Sequence, residues 1–183
     1  KTFHVYRCLQ LQNYFNIIIM KTSIITTLLV GLYSAACGQQ IDKSGITTFD
    51  LDRYLGKWYE IARYDHSFER DLVGCEAEYT LRDDGKIKVL NSGHLKTLSG
   101  PYKESTGKAI LNKNGKPGQL RVSFFGPFYG DYDILELAPD YSYSVVGSSS
   151  PKYLWILSRT PQMSTTTKDK ILRNLRQRGY DTS

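Results

Sequence analysis

The positions of the six prolines constrain this chain more than any other feature. They stand at 101, 117, 127, 139, 151 and 161, spaced 10 to 16 residues apart. Proline has no amide hydrogen to give to a sheet and is excluded from central strands. Each proline therefore marks a loop, and each interval holds about one strand. Asp83-Asp84-Gly85 supplies a further turn upstream. The runs between these signals are rich in tyrosine and β-branched residues, which favour strands. They are Lys57–Tyr64, Cys75–Leu81, Lys86–Ser92, Thr106–Leu111, Gln119–Phe124, Tyr132–Leu137, Tyr143–Gly147 and Tyr153–Leu157. No segment of helical period separates them, which excludes parallel βαβ units. Short links make sequential neighbours antiparallel. Closing an eight-strand meander removes its edges and leaves an interior wide enough for one small ligand. The expected fold is all-β: an eight-stranded antiparallel up-and-down barrel. One α-helix follows, between the N-cap Ser164 and the stop Gly179. Its apolar stripe, Ile171, Leu172 and Leu175, packs outside the barrel, leaving Lys168, Lys170, Arg173, Arg176 and Arg178 as a solvated face.

The formal charge of +6 does not point to nucleic acid. Lys1, Arg7 and Lys21 precede residue 37 with no acid among them. Without them, 21 basic and 18 acidic side chains remain, a net of +3, and no Lys/Arg run exceeds two residues. The N-terminal 36 residues read as upstream sequence followed by a signal peptide that starts at Met20-Lys21. Its apolar stretch, Ile24 to Leu32, is too short to span a bilayer. Small residues Ser34-Ala35-Ala36 then lead directly into Cys37. Residues 37–46 form a linker and 47–183 the folded domain. Of the three cysteines, only Cys75 falls inside that domain, so no intradomain disulfide is expected. No Cys/His spacing suits a metal, and no cofactor is implied.

Certain residues resemble a known family. Gly56-Lys57-Trp58 looks like the Gly-X-Trp signature that opens lipocalins. Asp131-Tyr132 fits the second motif, and Arg159, in Leu157-Ser158-Arg159-Thr160-Pro161, fits the third. Within the family the likeness is to bacterial outer-membrane lipocalins and apolipoprotein D, and it covers residues 47–183. It implies that Trp58 plugs the closed end of the barrel with Arg159 across its ring, planar cation on π face. It also implies a final strand after the helix, which a domain ending at Ser183 is expected to lack. Acylation of Cys37 would then anchor the protein to the outer membrane, facing the periplasm. Gly38 carries no charge that would retain it at the inner membrane, although Ser34 stands where a leucine is usual. Without the anchor a periplasmic or secreted carrier is expected.

Alternation then assigns faces. Trp58, Glu60 and Ala62 point inward on the first strand, and Cys75, Ala77, Tyr79 and Leu81 on the second. Leu120, Val122 and Phe124 do so on the fifth, and Tyr153, Trp155 and Leu157 on the last. Glu60, Ala62, Tyr79, Val122, Phe124, Tyr153 and Trp155 are the expected ligand contacts. Glu60 needs a buried donor, such as a tyrosine hydroxyl, because an unpaired carboxylate in an apolar interior is costly. Arg63, Lys103 and Lys152 favour an anionic head group. The expected function is binding, storage or transport of a fatty acid, lysophospholipid or similar lipid at the cell envelope, without catalysis. Two alternatives are a lipocalin-type enzyme using Cys75 and a pigment or tetrapyrrole carrier using His66 or His94.

Overall fold

The computed structural model describes residues 40–183. The leader, Met20, Cys8 and Cys37 lie outside the described residues. Eight strands run in order β1 (Gly56–Arg63), β2 (Leu72–Leu81), β3 (Ile87–Leu95), β4 (Tyr102–Leu111), β5 (Gln119–Phe125), β6 (Phe128–Leu137), β7 (Tyr143–Gly147) and β8 (Leu154–Ser158). Every neighbour is antiparallel, and β1 also pairs with β8, which closes the barrel. A helix of four residues, α1 (Leu51–Tyr54), precedes β1, and α2 (Thr165–Gln177) follows β8. Among the described residues no strand follows α2.

Several strands run further than their sequence pattern indicates, nearly always toward one end of the barrel. The added residues are Leu72–Gly74, Gly93–Leu95, Tyr102–Ser105 and Phe128–Asp131. The links at this end, between β1 and β2, β3 and β4, β5 and β6, and β7 and β8, surround its mouth. Here the ladder projects past the core. Tyr102 to Ser105 are all exposed, so no buried face imposes a period of two.

The other end is plugged. Asp50 caps α1, its side chain accepting from the amides of Asp52 and Arg53. Tyr54 then drops into the barrel. Gly56 bends the chain into β1 at φ +90°, a conformation that a residue with a Cβ resists. Trp58, fully buried, follows two residues later. Its indole nitrogen donates to the carbonyl of Tyr54 at 2.8 Å. Arg159 crosses beneath, its guanidinium carbon 3.8 Å from the ring centre. It donates to the carbonyls of Lys57 (2.7 Å), Arg53 (2.7 Å) and Tyr54 (3.1 Å). The latter two are carbonyls that the short helix leaves unpaired.

The sheet separates two apolar clusters. The inner one contains Tyr54, Trp58, Tyr79, Ile87, Val89, Leu120, Ile134, Val146 and Leu157. The outer one places Leu154 and Ile156 of β8 and Leu135 of β6 against Ile171 and Leu175 of α2. Leu81 pairs with Ile87 of the inner cluster and keeps the inward face, but at the plugged end of β2 it runs past the packed interior and is 47% exposed. One expectation needs correction: Arg178 leaves the solvated helix face and turns back to the sheet, donating to the carbonyls of Ser44 (2.7 Å) and Leu135 (3.1 Å).

Removing the plug should be expensive. Trp58→Ala should lower stability by about 3–5 kcal/mol, the usual range for a buried aromatic. Arg159→Ala should cost roughly 2 kcal/mol through its lost charged hydrogen bonds. The pair should be strongly non-additive in urea unfolding, and additivity would mean that the two side chains act independently.

Candidate ligand-binding site

Above the plug the barrel holds a cavity of about 180 Å³, far more than the roughly 10–15 Å³ that one water occupies. Its walls are mainly Ala77, Tyr79, Val89, Val122, Phe124, Val146, Trp155 and Leu157. The floor is polar but internally satisfied. The Tyr132 hydroxyl lies 2.7 Å from that of Tyr54 and 2.9 Å from that of Tyr79, and Ser144 Oγ is 3.2 Å from Tyr54. Burial pushes the Tyr54 phenol up to about 12 and raises those of Tyr79 and Tyr132 further. All three stay neutral and hold their hydrogen bonds.

The mouth is charged. The pairing of β1 with β8 slips by one residue between Glu60 and Ala62. Glu60 lies opposite Leu157, Ala62 opposite Ile156, and Arg63 opposite Trp155. Such a bulge spends two residues where its partner spends one, so alternation beyond it inverts. Ile61 packs in the outer cluster, and Ala62 is exposed on the outer face. Ala62 is therefore not an inward residue; Arg63 takes that place. Its guanidinium bonds the Glu60 carboxylate and donates to the carbonyls of Glu69 (2.8 Å) and Leu72 (2.9 Å). Glu60 thus finds its donor in Arg63, not in a tyrosine. Burial still raises the Glu60 carboxyl above its ordinary value.

The loop between β1 and β2 adds residues that strand alternation does not reach. Glu69 accepts from the Trp155 indole at 3.0 Å and lies 3.9 Å from Arg63 Nε. His66 is buried, stacked on Phe68 with ring centres 4.0 Å apart. Its Nε2 lies 3.1 Å from Glu69, yet neither ring nitrogen makes a directed hydrogen bond. Tyr153, in the turn before β8, lies parallel to Trp155 at 6.1 Å. It belongs to this aromatic group and not to the cavity wall. Among the expected contacts, Glu60, Tyr79, Val122, Phe124 and Trp155 share the one cavity. Val89, Asn91 and Val146 also line it; extending strict alternation to β3 and β7 would have found them. Asp131 is exposed opposite Arg121, while its neighbour Tyr132 reaches the cavity floor.

Cys75 is buried at the mouth, with Sγ 3.7 Å from Arg63 Nη1. Burial, with Glu60 nearby, pushes its thiol up to about 11. Neither His66 nor His94 lines the cavity. His94 Nδ1 is engaged 3.0 Å from the Gly100 carbonyl. Among the described residues no cluster of His, Cys, Asp or Glu has metal-binding geometry.

Two expected outcomes follow from this chemistry. Cys75 should resist alkylation near neutral pH, because almost none of it is thiolate; peptide-resolved iodoacetamide labelling checks this, and rapid labelling would contradict it. Burial also lowers the pKa of His66 below its ordinary value, despite Glu69. The unfolded chain therefore takes up this proton first as pH falls. The stability contributed by neutral His66 is complete above about pH 6.5 and declines below it. Urea midpoints measured down to pH 5 should fall less steeply for His66→Gln than for the parent, and equal slopes would remove His66 from this role.

Comparison with known proteins places these features in a family. Residues 49–183 match the family model described as a lipocalin-like domain. The outer membrane lipoprotein Blc of Vibrio cholerae serotype O1 is 45% identical over 153 residues, covering 83% of this chain and 89% of that protein. Blc of Escherichia coli K12 is 44% identical over 151 residues, covering 81% and 85%. Among solved structures, insecticyanin from Manduca sexta superposes with a TM-score of 0.58 at 23% identity, over 74% of this chain and 76% of that one. That likeness speaks to the fold alone. The closed eight-stranded barrel with its plugged end, and sequence identity across most of the domain, make this chain a member of the lipocalin family.

Proposed function

We propose that this protein holds a single-chain lipid in its barrel and carries it at the outer membrane. The observation that carries this reading is the cavity itself: apolar walls, a floor of tyrosines already hydrogen-bonded to one another, and a mouth where charge and aromatic rings meet. Such a space takes hydrocarbon below and a polar head above. Lipocalins bind small hydrophobic ligands and generally serve in binding and transport, which fits the high thiol pKa of Cys75. Relatives at 44–45% identity are named outer membrane lipoproteins, which supports an outer-membrane placement and a lipid anchor on Cys37.

Burying about ten methylenes at roughly 0.8 kcal/mol each gives about 8 kcal/mol of gross transfer free energy. Association and chain ordering subtract from this, leaving affinity on the order of micromolar. Of the two lipid classes, the mouth favours a lysophospholipid with an ammonium-bearing head. Glu60 and Glu69 stand there against Arg63 alone, and the Arg63 guanidinium is already occupied by Glu60 and two backbone carbonyls. An exposed lysine such as Lys103 or Lys152 contributes little to a fatty-acid carboxylate.

Titration with lysophosphatidylethanolamine should change tryptophan fluorescence saturably, one-to-one, through Trp155. A fatty acid of equal chain length should bind more weakly. Val122→Trp should fill the cavity and weaken binding about ten-fold or more, with the circular dichroism unchanged. If neither class binds below about 100 μM, where little more than about 5 kcal/mol is gained, and Val122→Trp behaves like the parent, the lipid-carrier reading fails.

A further inference from the structure

The most exposed large apolar side chains gather at one end of the molecule. Phe125 is 81% exposed, Phe128 79%, Leu98 72%, Phe68 62% and Tyr102 54%. Phe125 and Phe128 face each other across the Gly126-Pro127 turn between β5 and β6. Leu98 comes from the link between β3 and β4, Tyr102 opens β4 directly after it, and Phe68 comes from the link between β1 and β2. Three separate links thus bring their apolar residues to the mouth of one cavity. Among the described residues the plugged end shows only Leu81 and Leu111 at comparable exposure, below 50% each. An apolar ring of this kind on a soluble face marks an interaction surface.

We propose that this rim docks on a lipid bilayer, mouth downward, with the rings at the level of the headgroups and upper acyl chains. Two features favour a bilayer as occupant. The side chains crown separate loops around an opening, which suits a flat deformable surface better than a groove suits a peptide. The exposed Lys96, Lys103 and Lys152 stand at the same end and can meet headgroup phosphates; the exposed Asp71, Glu104 and Asp131 stand there too, so the apolar rings and not a net charge carry the docking. In addition, the chain leaves the domain beside this end: Lys43 reaches the Ser149 carbonyl in the link between β7 and β8, only six residues after Cys37. Docked in this way, the mouth receives its ligand from the bilayer without an aqueous step. That consequence rests on the lipid-carrier reading; the docking itself does not.

The test uses the full chain with Cys37→Ser, so that no acyl group contributes. Vesicles of phosphatidylethanolamine and phosphatidylglycerol are floated with this protein and with a form also carrying Leu98→Ser, Phe125→Ser and Phe128→Ser. None of these three residues lines the cavity. The rim form should lose at least about ten-fold in vesicle partitioning while titrating with lysophosphatidylethanolamine as before. In a separate form, Phe125→Trp should add a blue-shifted emission component when vesicles are supplied, a signal of the rim itself and not of the apolar leader. Equal flotation of the parent and rim forms, with no Phe125→Trp shift, overturns the docking surface. So does a dimer in the parent that the rim substitutions dissociate, with no vesicle binding by either. Vesicle docking in a protein that titrates with no lipid would keep the rim and discard the carrier reading.

Discussion

Arg159 donates to three carbonyl oxygens at the end of α1 and the start of β1 while lying across Trp58, and the shape of the molecule depends on that contact. A barrel is open at both ends unless something fills one of them. Here the filler is a four-residue helix too short to be stable by itself. Its N-terminus is held by the Asp50 side chain, its C-terminal carbonyls by Arg159, and its flank by Arg53, which lies over the Tyr141 ring. A lysine in place of Arg159 has one ammonium and no plane, so it cannot both span these carbonyls and stack. With the base fixed, Tyr54 and Trp58 become a floor and the tube becomes a cup.

The mouth works by the opposite logic. Two carboxylates and one guanidinium are partly removed from water there, which is unfavourable unless each is bonded. The slip between β1 and β8 makes the bonding possible, because it turns Arg63 toward Glu60 and Trp155. Trp155 is tied to Glu69, and Glu69 sits against His66. The β1–β2 link is thereby fastened across part of the opening by polar contacts and aromatic stacking, without a continuous apolar core beneath it.

Much of this was legible in the sequence because it rests on residue types with few alternatives. Proline spacing counted the strands, and a glycine two residues before Trp58 marked the entry to β1. Inward faces followed from alternation for Tyr79, Val122 and Trp155, and for Phe124 as well, although the β5–β6 pairing slips between Val122 and Phe125. Ala62 was misplaced because a bulge leaves no mark in composition: Ile61-Ala62-Arg63 reads equally well in either register, and only the partner strand decides. The start of β4 near the mouth was missed because water bathes both faces of Tyr102–Ser105. The helix α1 is shorter than any periodicity can reveal, with only Asp50 as its signal. His66, Phe68 and Glu69 sit in a loop, where neither periodicity applies.

One layer of sheet separates the inner cluster from the outer one, and the two share almost no side chains. Residues facing the cavity can therefore be exchanged for others of similar bulk while the seam between α2 and the wall, around Ile171 and Leu175, stays intact. The scaffold and the ligand preference are separately adjustable. A lineage built on this plan is free to change its cargo through substitutions at positions such as Val122 or Phe124, with the wall-and-helix packing as an untouched reserve of stability.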